Sequence, residues 1–294
     1  MKPVCAITGS SGYVGSTLAR ALAPVFDIVP LSRKPAPNSI PWSLDSTEDI
    51  TLALTGHNVK TLVHAAWDFS HPDAKENERI NVTGSANLLR CAINAGVERI
   101  VFISSISAFA GARSHYGDAK LQVECLVLKA GGTVIRPGLV WGNSPINANS
   151  GMFGSLRKQV ANAKIIPLIG DGRAPQYLVH EDDLGNAVLR AAKNPPDSSL
   201  EPLITLAHPQ PWPFRDLLTA IAAHDNAQPN SQPKKLTLLP IPWRLIYTGL
   251  RTAELLGLKL SFRSDSVTSF IYQNPAPDFA STQRSNLSVR PFSP

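Results

Sequence analysis

The chain has 294 residues, 43% of them hydrophobic and 17% charged, with a formal net charge of +6. At roughly 100–200 residues per domain, that is one large domain or one and a half. The apolar content is ordinary and the 25 prolines are scattered, which excludes disorder and a fibrous repeat. No apolar run approaches the roughly 20 residues of a bilayer span, so no stable membrane insertion is expected. The N-terminus runs straight into a strand-like segment and lacks a signal peptide's longer apolar stretch, so a cytoplasmic protein is expected. The 28 basic and 22 acidic residues form no Lys/Arg block. A nucleic-acid partner is therefore not expected, whereas an anionic small molecule suits the mild positive bias. Cys5, Cys91 and Cys125 lie far apart in apolar segments without metal-ligand spacing, and all three are expected to be buried and reduced.

Taken in chain order, the pattern alternates two periods. A short apolar strand at 4–8 precedes a helix over 14–23, with Val14, Leu18, Ala21 and Leu22 on one face. Further strands are predicted at 26–31, 61–66, 99–104 and 133–136, and helices at 49–54, 76–95 and 116–129. This alternation predicts an α/β fold, a Rossmann-type doubly wound parallel sheet with helices on both faces. After Trp141 the rhythm breaks, and Gly, Asn and Pro are dense over 142–151. Helices follow at 152–162, 182–193, 214–224 and 241–257, with strands at 165–168 and 203–206. From Asn274 onward, proline and polar residues suggest a loosely held end. The expected organisation is a dinucleotide-binding domain over 1–142, rejoined by part of 176–208. Most of 143–294 forms a smaller C-terminal substrate lobe.

Thr8-Gly9-Ser10-Ser11-Gly12-Tyr13-Val14-Gly15 leaves the first strand and opens the first helix. Gly9 allows the tight turn, Gly12 a close approach by a pyrophosphate, and Gly15 close helix–sheet packing. Free N–H groups at the helix N-terminus then meet the negative charge. Ser11, Tyr13 and Val14 lie between the glycines and are read with them as cofactor-binding. An acid at the end of the second strand would hold a ribose 2′-hydroxyl, but Leu31-Ser32-Arg33-Lys34 stands there. Ser32 can donate to a phosphate, and the planar Arg33 can clamp it and stack on adenine. NADP(H) is therefore favoured, with NAD(H) as the alternative.

Tyr116 and Lys120 share one helix face. A phenol near pKa 10 is a poor acid–base at neutral pH, and a neighbouring ammonium is expected to lower it. Ser104, Ser105 and Ser107 follow an apolar strand, at the end where parallel sheets bind ligands. A serine hydroxyl there can hold a substrate oxygen beside the phenol.

These motifs, with His64-Ala65-Ala66, Asn81-Val82-Thr83-Gly84, the run from Arg136 to Gly142 and the run from Val179 to Leu184, stand in one order. They resemble those of the extended short-chain dehydrogenases/reductases, the NAD-dependent epimerase/dehydratase family, over roughly residues 4–192. The resemblance implies Tyr116 as acid–base and Lys120 as the residue that holds the nicotinamide ribose and tunes Tyr116. It implies Ser105 as the catalytic serine, because Phe109 then falls where the family usually has Tyr. Ala65, Ala66, Asn81, Pro137 and Leu139 would line the nicotinamide half. His180 and Asp183 stand open between structural and functional roles.

The expected activity is that of an NAD(P)-dependent oxidoreductase or epimerase acting on a nucleotide sugar, by epimerisation or 4-keto reduction. Dehydration is disfavoured, since Ile106 and Ser107 stand where a dehydratase carries carboxylates. Many nucleotide-sugar members carry an Arg four residues before the motif His; here that residue is Gln176, and Arg173 is the nearest cation. Arg173 and Gln176 are the candidate substrate contacts beside Ser105 and Tyr116. Gln176 also favours the alternative of a reductase for a non-sugar ketone or aldehyde. A non-catalytic NADP-binding sensor is the third reading, against which Ser105, Tyr116 and Lys120 together argue. His57, His71, His115 and His208 are isolated and read as surface or packing residues, so no metal is expected. Trp212, Trp243, Tyr247 and the helix at 243–256 read as lobe core, with a homodimer face or a peripheral membrane contact as alternatives for that helix.

Overall fold

The computed structural model describes residues 1–34, 36–71, 73–142, 150–193, 197–226, 236–258, 260 and 262–293. Most of the glycine- and proline-dense 142–151 stretch lies outside them. The elements run β1 (Val4–Thr8), α1 (Tyr13–Leu22), β2 (Asp27–Ser32), β3 (Ile40–Pro41), α2 (Thr51–Gly56) and β4 (Val59–His64). Next come α3 (Ala74–Asn77), a π-helical turn (Glu78–Thr83), α4 (Gly84–Asn94), β5 (Arg99–Ile103), α5 (His115–Lys129), β6 (Thr133–Pro137) and β7 (Leu139–Trp141). The later chain gives α6 (Gly151–Asn162), β8 (Ile165–Ile169), β9 (Pro175–Gln176), β10 (Leu178–His180), α7 (Glu181–Ala192) and β11 (Leu203–Leu206). It ends with β12 (Trp212–Pro213), α8 (Phe214–Asn226), β13 (Thr237–Ile241), α9 (Trp243–Leu255), α10 (Ser264–Ile271) and α11 (Ala280–Arg284).

The main sheet has seven strands in the order β11-β6-β5-β4-β1-β2-β3. Every pairing within it is parallel. Its central strands are buried on both faces, hence their continuous apolar runs. Alternation then sorts the side chains. Cys5, Ile7, Val63 and Val101 pack with Leu18, Leu184 and Val188 from α1 and α7. Ala6 and Leu62 turn the other way, onto Leu54 and Leu88 from α2 and α4. The strand order reverses between β1 and β4, and the crevice outside their C-terminal ends is where such a sheet binds ligands.

Apart from the clusters on the main sheet, a separate apolar core is centred on Trp141, Phe153, Leu168, Leu218 and Phe292, drawn from β7, α6, β8, α8 and the C-terminal tail. Three sequence expectations are corrected here. The chain beyond Asn274 is held: Ser281 and Ser285 accept from the amides of Thr205 and Glu201, while Thr282 donates to the Thr205 carbonyl. These bonds cover the otherwise open edge of β11. Polar residues there signalled edge-capping, which composition alone does not distinguish from a loose end. The tail helix is not lobe core, because α9 has no buried residue. Cys125 is exposed, on the outer face of α5, while Cys5 and Cys91 are buried.

Candidate active site

The glycine loop closes on itself through the Gly12 amide, which donates to the Gly9 carbonyl at 2.9 Å. Gly9 has φ +70°, and a Cβ there would meet the Ala66 backbone at 2.9 Å. A Cβ on Gly15 would stand 2.0 Å from the Gly9 carbonyl oxygen, so α1 can start this close to the loop only with glycine. At Gly12 a Cβ would meet only the Gly9 oxygen, at 3.4 Å. The fold itself thus asks little of Gly12, as expected of a position left open for a ligand. The N-terminus of α1 has neither a side-chain cap nor an acid in its first turn, which leaves its amides free for an anion.

Thr8 and His64 lock the loop to the end of β4. Thr8 Oγ1 accepts from the amides of Ala65 and Ala66, both at 3.0 Å, so its proton goes to His64 Nδ1 at 2.7 Å. His64 Nε2 lies 2.8 Å from Ser85 Oγ, which itself donates to the Asn81 carbonyl at 2.5 Å. The network therefore requires the neutral Nε2–H tautomer. Burial, with Lys120 nearby, holds the ring's pKa down at about 3. Asn81 is buried in the π-helical turn. Its amide accepts from the Asp68 N–H at 2.8 Å and donates to the Asp68 carbonyl at 2.9 Å. It thereby fixes the loop that presents Trp67 and Phe69.

Ser105, Tyr116 and Lys120 meet beyond β5. The Ser105 hydroxyl lies near enough to the Tyr116 phenol to influence its titration, and Ser105 Oγ accepts from the Ser107 amide at 3.1 Å. Ser104 is turned inward and bonded to Glu124, whose carboxylate is also gripped by Arg136 at 2.8 and 2.5 Å. The geometry thus separates Ser105 from its neighbour. Lys120 Nζ donates to the Ile103 carbonyl at 2.8 Å and lies 4.0 Å from the centre of the Trp67 ring. Burial brings this ammonium from 10.5 down to about 7, against an opposing pull from Glu124. Burial also pushes the Tyr116 phenol up, and the nearby Ser105 hydroxyl opposes that shift. The expectation that Lys120 lowers the phenol's pKa is not met in this arrangement, because the ammonium is turned to Ile103 and the indole. Trp67 stands edge-on to Tyr116 at 5.8 Å and Phe69 lies 5.7 Å from it.

Sequence reasoning passed over Trp67, Phe69, Glu124 and Asp265. Trp67 directly follows the His64-Ala65-Ala66 motif, and that position was the available signal. Asp265 begins α10, far along the chain, and accepts from the amides of His115 at 2.8 Å and Tyr116 at 3.1 Å.

The remaining candidates are spread out. Ser32 donates to the Lys34 carbonyl at 2.6 Å, and Arg33 is exposed at the end of β2. Pro137 closes β6, its carbonyl taking the Ile106 amide at 3.0 Å, and Leu139 opens β7. Arg173 is exposed and lies 3.5 Å from Asp171. The Gln176 amide donates to the carbonyls of Ala174 and Pro175 at 3.4 and 3.0 Å. Neither is bonded to Ser105, Tyr116 or Lys120. His180 caps α7, taking the Asp182 amide at 3.1 Å, and Asp183 grips Arg290, so both have structural work. Among the described residues no cluster of His, Cys, Asp or Glu is suited to a metal ion.

The model of the NAD-dependent epimerase/dehydratase family matches residues 5–200. The chain belongs to this family. It is accordingly an enzyme of the NAD-dependent epimerase/dehydrogenase kind. Among family relatives, a UDP-glucose 4-epimerase of Vibrio cholerae is 28% identical over 234 residues, 69% of this chain and 70% of its own length. An uncharacterised protein of Mycobacterium tuberculosis is 28% identical over 228 residues, 74% of this chain but 23% of that protein. In fold, the chain is similar to a UDP-N-acetylglucosamine 4-epimerase from Bacillus cereus, with a TM-score of 0.64 at 17% identity, covering 92% of this chain and 96% of that one. MoeE5, solved with UDP-glucose and NAD, gives 0.61 at 20% identity, covering 96% and 99%.

Proposed function

We propose that this family member is a nicotinamide-dependent epimerase or 4-keto reductase of a nucleotide sugar. Residues 1–142 would bind the dinucleotide, and most of 143–294 the substrate. The observation that carries the reading is Ser105 and Tyr116 as neighbours, with the Lys120 ammonium 6.0 Å from the Tyr116 ring centre, at the ligand end of the sheet and next to an uncapped glycine-loop helix. The bound dinucleotide supplies a hydride acceptor or donor. Tyr116 moves a proton between its phenolic oxygen and the substrate oxygen, and Ser105 orients that oxygen. A phenol held above its usual pKa is a proton donor as it stands, which suits the reducing direction. Lys120 would hold the nicotinamide ribose. Gly9, Ser11, Gly12, Tyr13, Val14 and Gly15 would cradle the pyrophosphate, and Ala65, Ala66, Asn81, Pro137 and Leu139 the nicotinamide half. Ser32 and Arg33 favour NADP(H) over NAD(H), since no acid ends β2 to hold a free 2′-hydroxyl.

A second reading, reduction of a non-sugar ketone or aldehyde, draws on two observations. Gln176 spends its amide on its own backbone, and Trp67 and Phe69 give Tyr116 an aromatic surround. The test is a panel of UDP- and dTDP-sugars and aryl ketones, followed by nicotinamide absorbance and product chromatography, with NADPH and NADH side by side. Tyr116→Phe should lose turnover at least about a hundredfold, the scale of an acid–base group, while keeping dinucleotide affinity. Turnover within threefold of wild type would move the proton transfer to another residue. Activity on ketones alone would replace the sugar reading with the second one.

A further inference from the structure

The apolar surface around α9 has no use in the chemistry above. Leu245 is 64% exposed, Leu255 73% and Leu256 74%, and Leu258 and Phe262 follow at 56% and 43%. Leu245 and Leu256 fall within about 20° of one another around the helix, on the side away from Trp243, Ile246 and Leu250. Arg244 and Arg251 are exposed along the flank. The Glu254 carboxylate is turned inward instead, its side chain 2% exposed and tied to the amide and hydroxyl of Ser264 and to Arg251.

The charge distribution selects the occupant. Between residues 234 and 263 the sequence has six basic residues, Lys234, Lys235, Arg244, Arg251, Lys259 and Arg263, and one acid, Glu254. Of the chain's 28 basic and 22 acidic residues, that leaves 22 against 21 elsewhere. Nearly all of the molecule's positive excess therefore sits in the segment that also exposes the leucines. A second copy of this face would bring like charge against like. An anionic bilayer offers opposite charge to the arginines and hydrocarbon to the leucines, the combination by which amphipathic helices lie in a membrane interface. No helix among the described residues is long and apolar enough to cross a membrane, so the attachment would be peripheral.

We infer that the outward face of α9, with Leu245 and Leu256 flanked by Arg244 and Arg251, docks the protein on an anionic lipid surface. The test is co-sedimentation of the whole chain with vesicles of phosphatidylcholine, or of phosphatidylcholine with phosphatidylglycerol, over a salt series. Wild type should bind the anionic vesicles at least tenfold more tightly, and rising salt should weaken that binding. Arg244→Glu should cost about fivefold or more on anionic vesicles, the scale of one surface charge, with little change on neutral ones. Leu245→Asp with Leu256→Asp should cost tenfold or more, with an unchanged melting temperature, since neither leucine is buried. If that double variant does not fold, the Arg244→Glu result decides alone. Equal sedimentation with both vesicle types, no sedimentation, or binding indifferent to Arg244→Glu would overturn the inference. So would a dimer dispersed by Leu245→Asp in a protein that ignores vesicles, because the face would then belong to a second copy.

Discussion

Lys120 sits in an environment that works against its charge. The residue is 3% exposed, and among the described residues its hydrogen-bond acceptor is the Ile103 carbonyl. The ammonium's pKa of about 7 lies well below its ordinary 10.5, so between these values the unfolded chain binds more protons than the folded one. Stability then rises with pH through that window. Cys5 acts in the opposite sense only above its ordinary 9.0, where burial keeps the folded thiol protonated to about 12. From pH 7 to 9 the lysine contributes a gain of about 2 kcal/mol. Thermal unfolding of the ligand-free protein should show the midpoint climbing by several degrees across that range, and Lys120→Met should flatten the climb. A midpoint equally flat in both proteins would mean that Lys120 is solvated. Tyr116, Lys120 and the glycine loop were legible in the sequence because each belongs to a short, ordered motif. The orientation of the ammonium was not, because Trp67 and Ile103 come from other strands' ends and no spacing encodes that meeting.

At the scale of elements, the strand–helix alternation carried the Rossmann core, including Leu203–Leu206, which returns to the sheet's edge as β11. The two- and three-residue strands β3, β7, β9, β10 and β12 were not legible, since so few residues show no period. The helix expected over 76–95 is interrupted by a π-helical turn that sets Asn81 and Ile80 inward, a change of phase that a 3.6-residue pattern hides. α5 was legible but its cap was not. Its first amides would be orphans, and they are met by Asp265 at His115 and Tyr116 and by Ser114 at Gly117. The lobe thus holds the first turn of the helix that bears Tyr116 and Lys120. Asp265→Ala should lower stability by about 1–2 kcal/mol, the range of a lost helix cap. Asp265→Asn, which keeps one acceptor oxygen, should lower it less. Urea unfolding followed by far-ultraviolet circular dichroism distinguishes these outcomes, and an unmoved Asp265→Ala midpoint would remove the carboxylate from the capping role.

Over the whole molecule, the C-terminal tail ties the main sheet to the apolar core around Trp141. Its Ser281, Thr282 and Ser285 run along β11, Arg290 reaches back to α7, and Phe292 enters the lobe core edge-on to Trp141 at 5.0 Å. Arg290 donates its backbone N–H and its guanidinium to Asp183, at 2.9 Å for the backbone and 2.7 Å for Nη2. Asp183 is 8% exposed and Arg290 47%. This differs from an ion pair with both partners in water, such as Arg90 with Asp49 at 51% and 54%, where screening and side-chain entropy cancel most of the attraction. Removing Arg290 leaves a mostly buried carboxylate with a backbone amide as its remaining partner there. Allowing for solvent around the guanidinium, the loss should be about 1–2 kcal/mol. Arg290→Ala should therefore lower the urea midpoint clearly, and Arg90→Ala should barely move it. In the Asp183→Asn background the effect of Arg290→Ala should shrink, because the charge it answered is gone. If Arg290→Ala and Arg90→Ala behave alike, the tail is held by Phe292 and the β11 contacts, and Phe292→Ala becomes the variant that frees it.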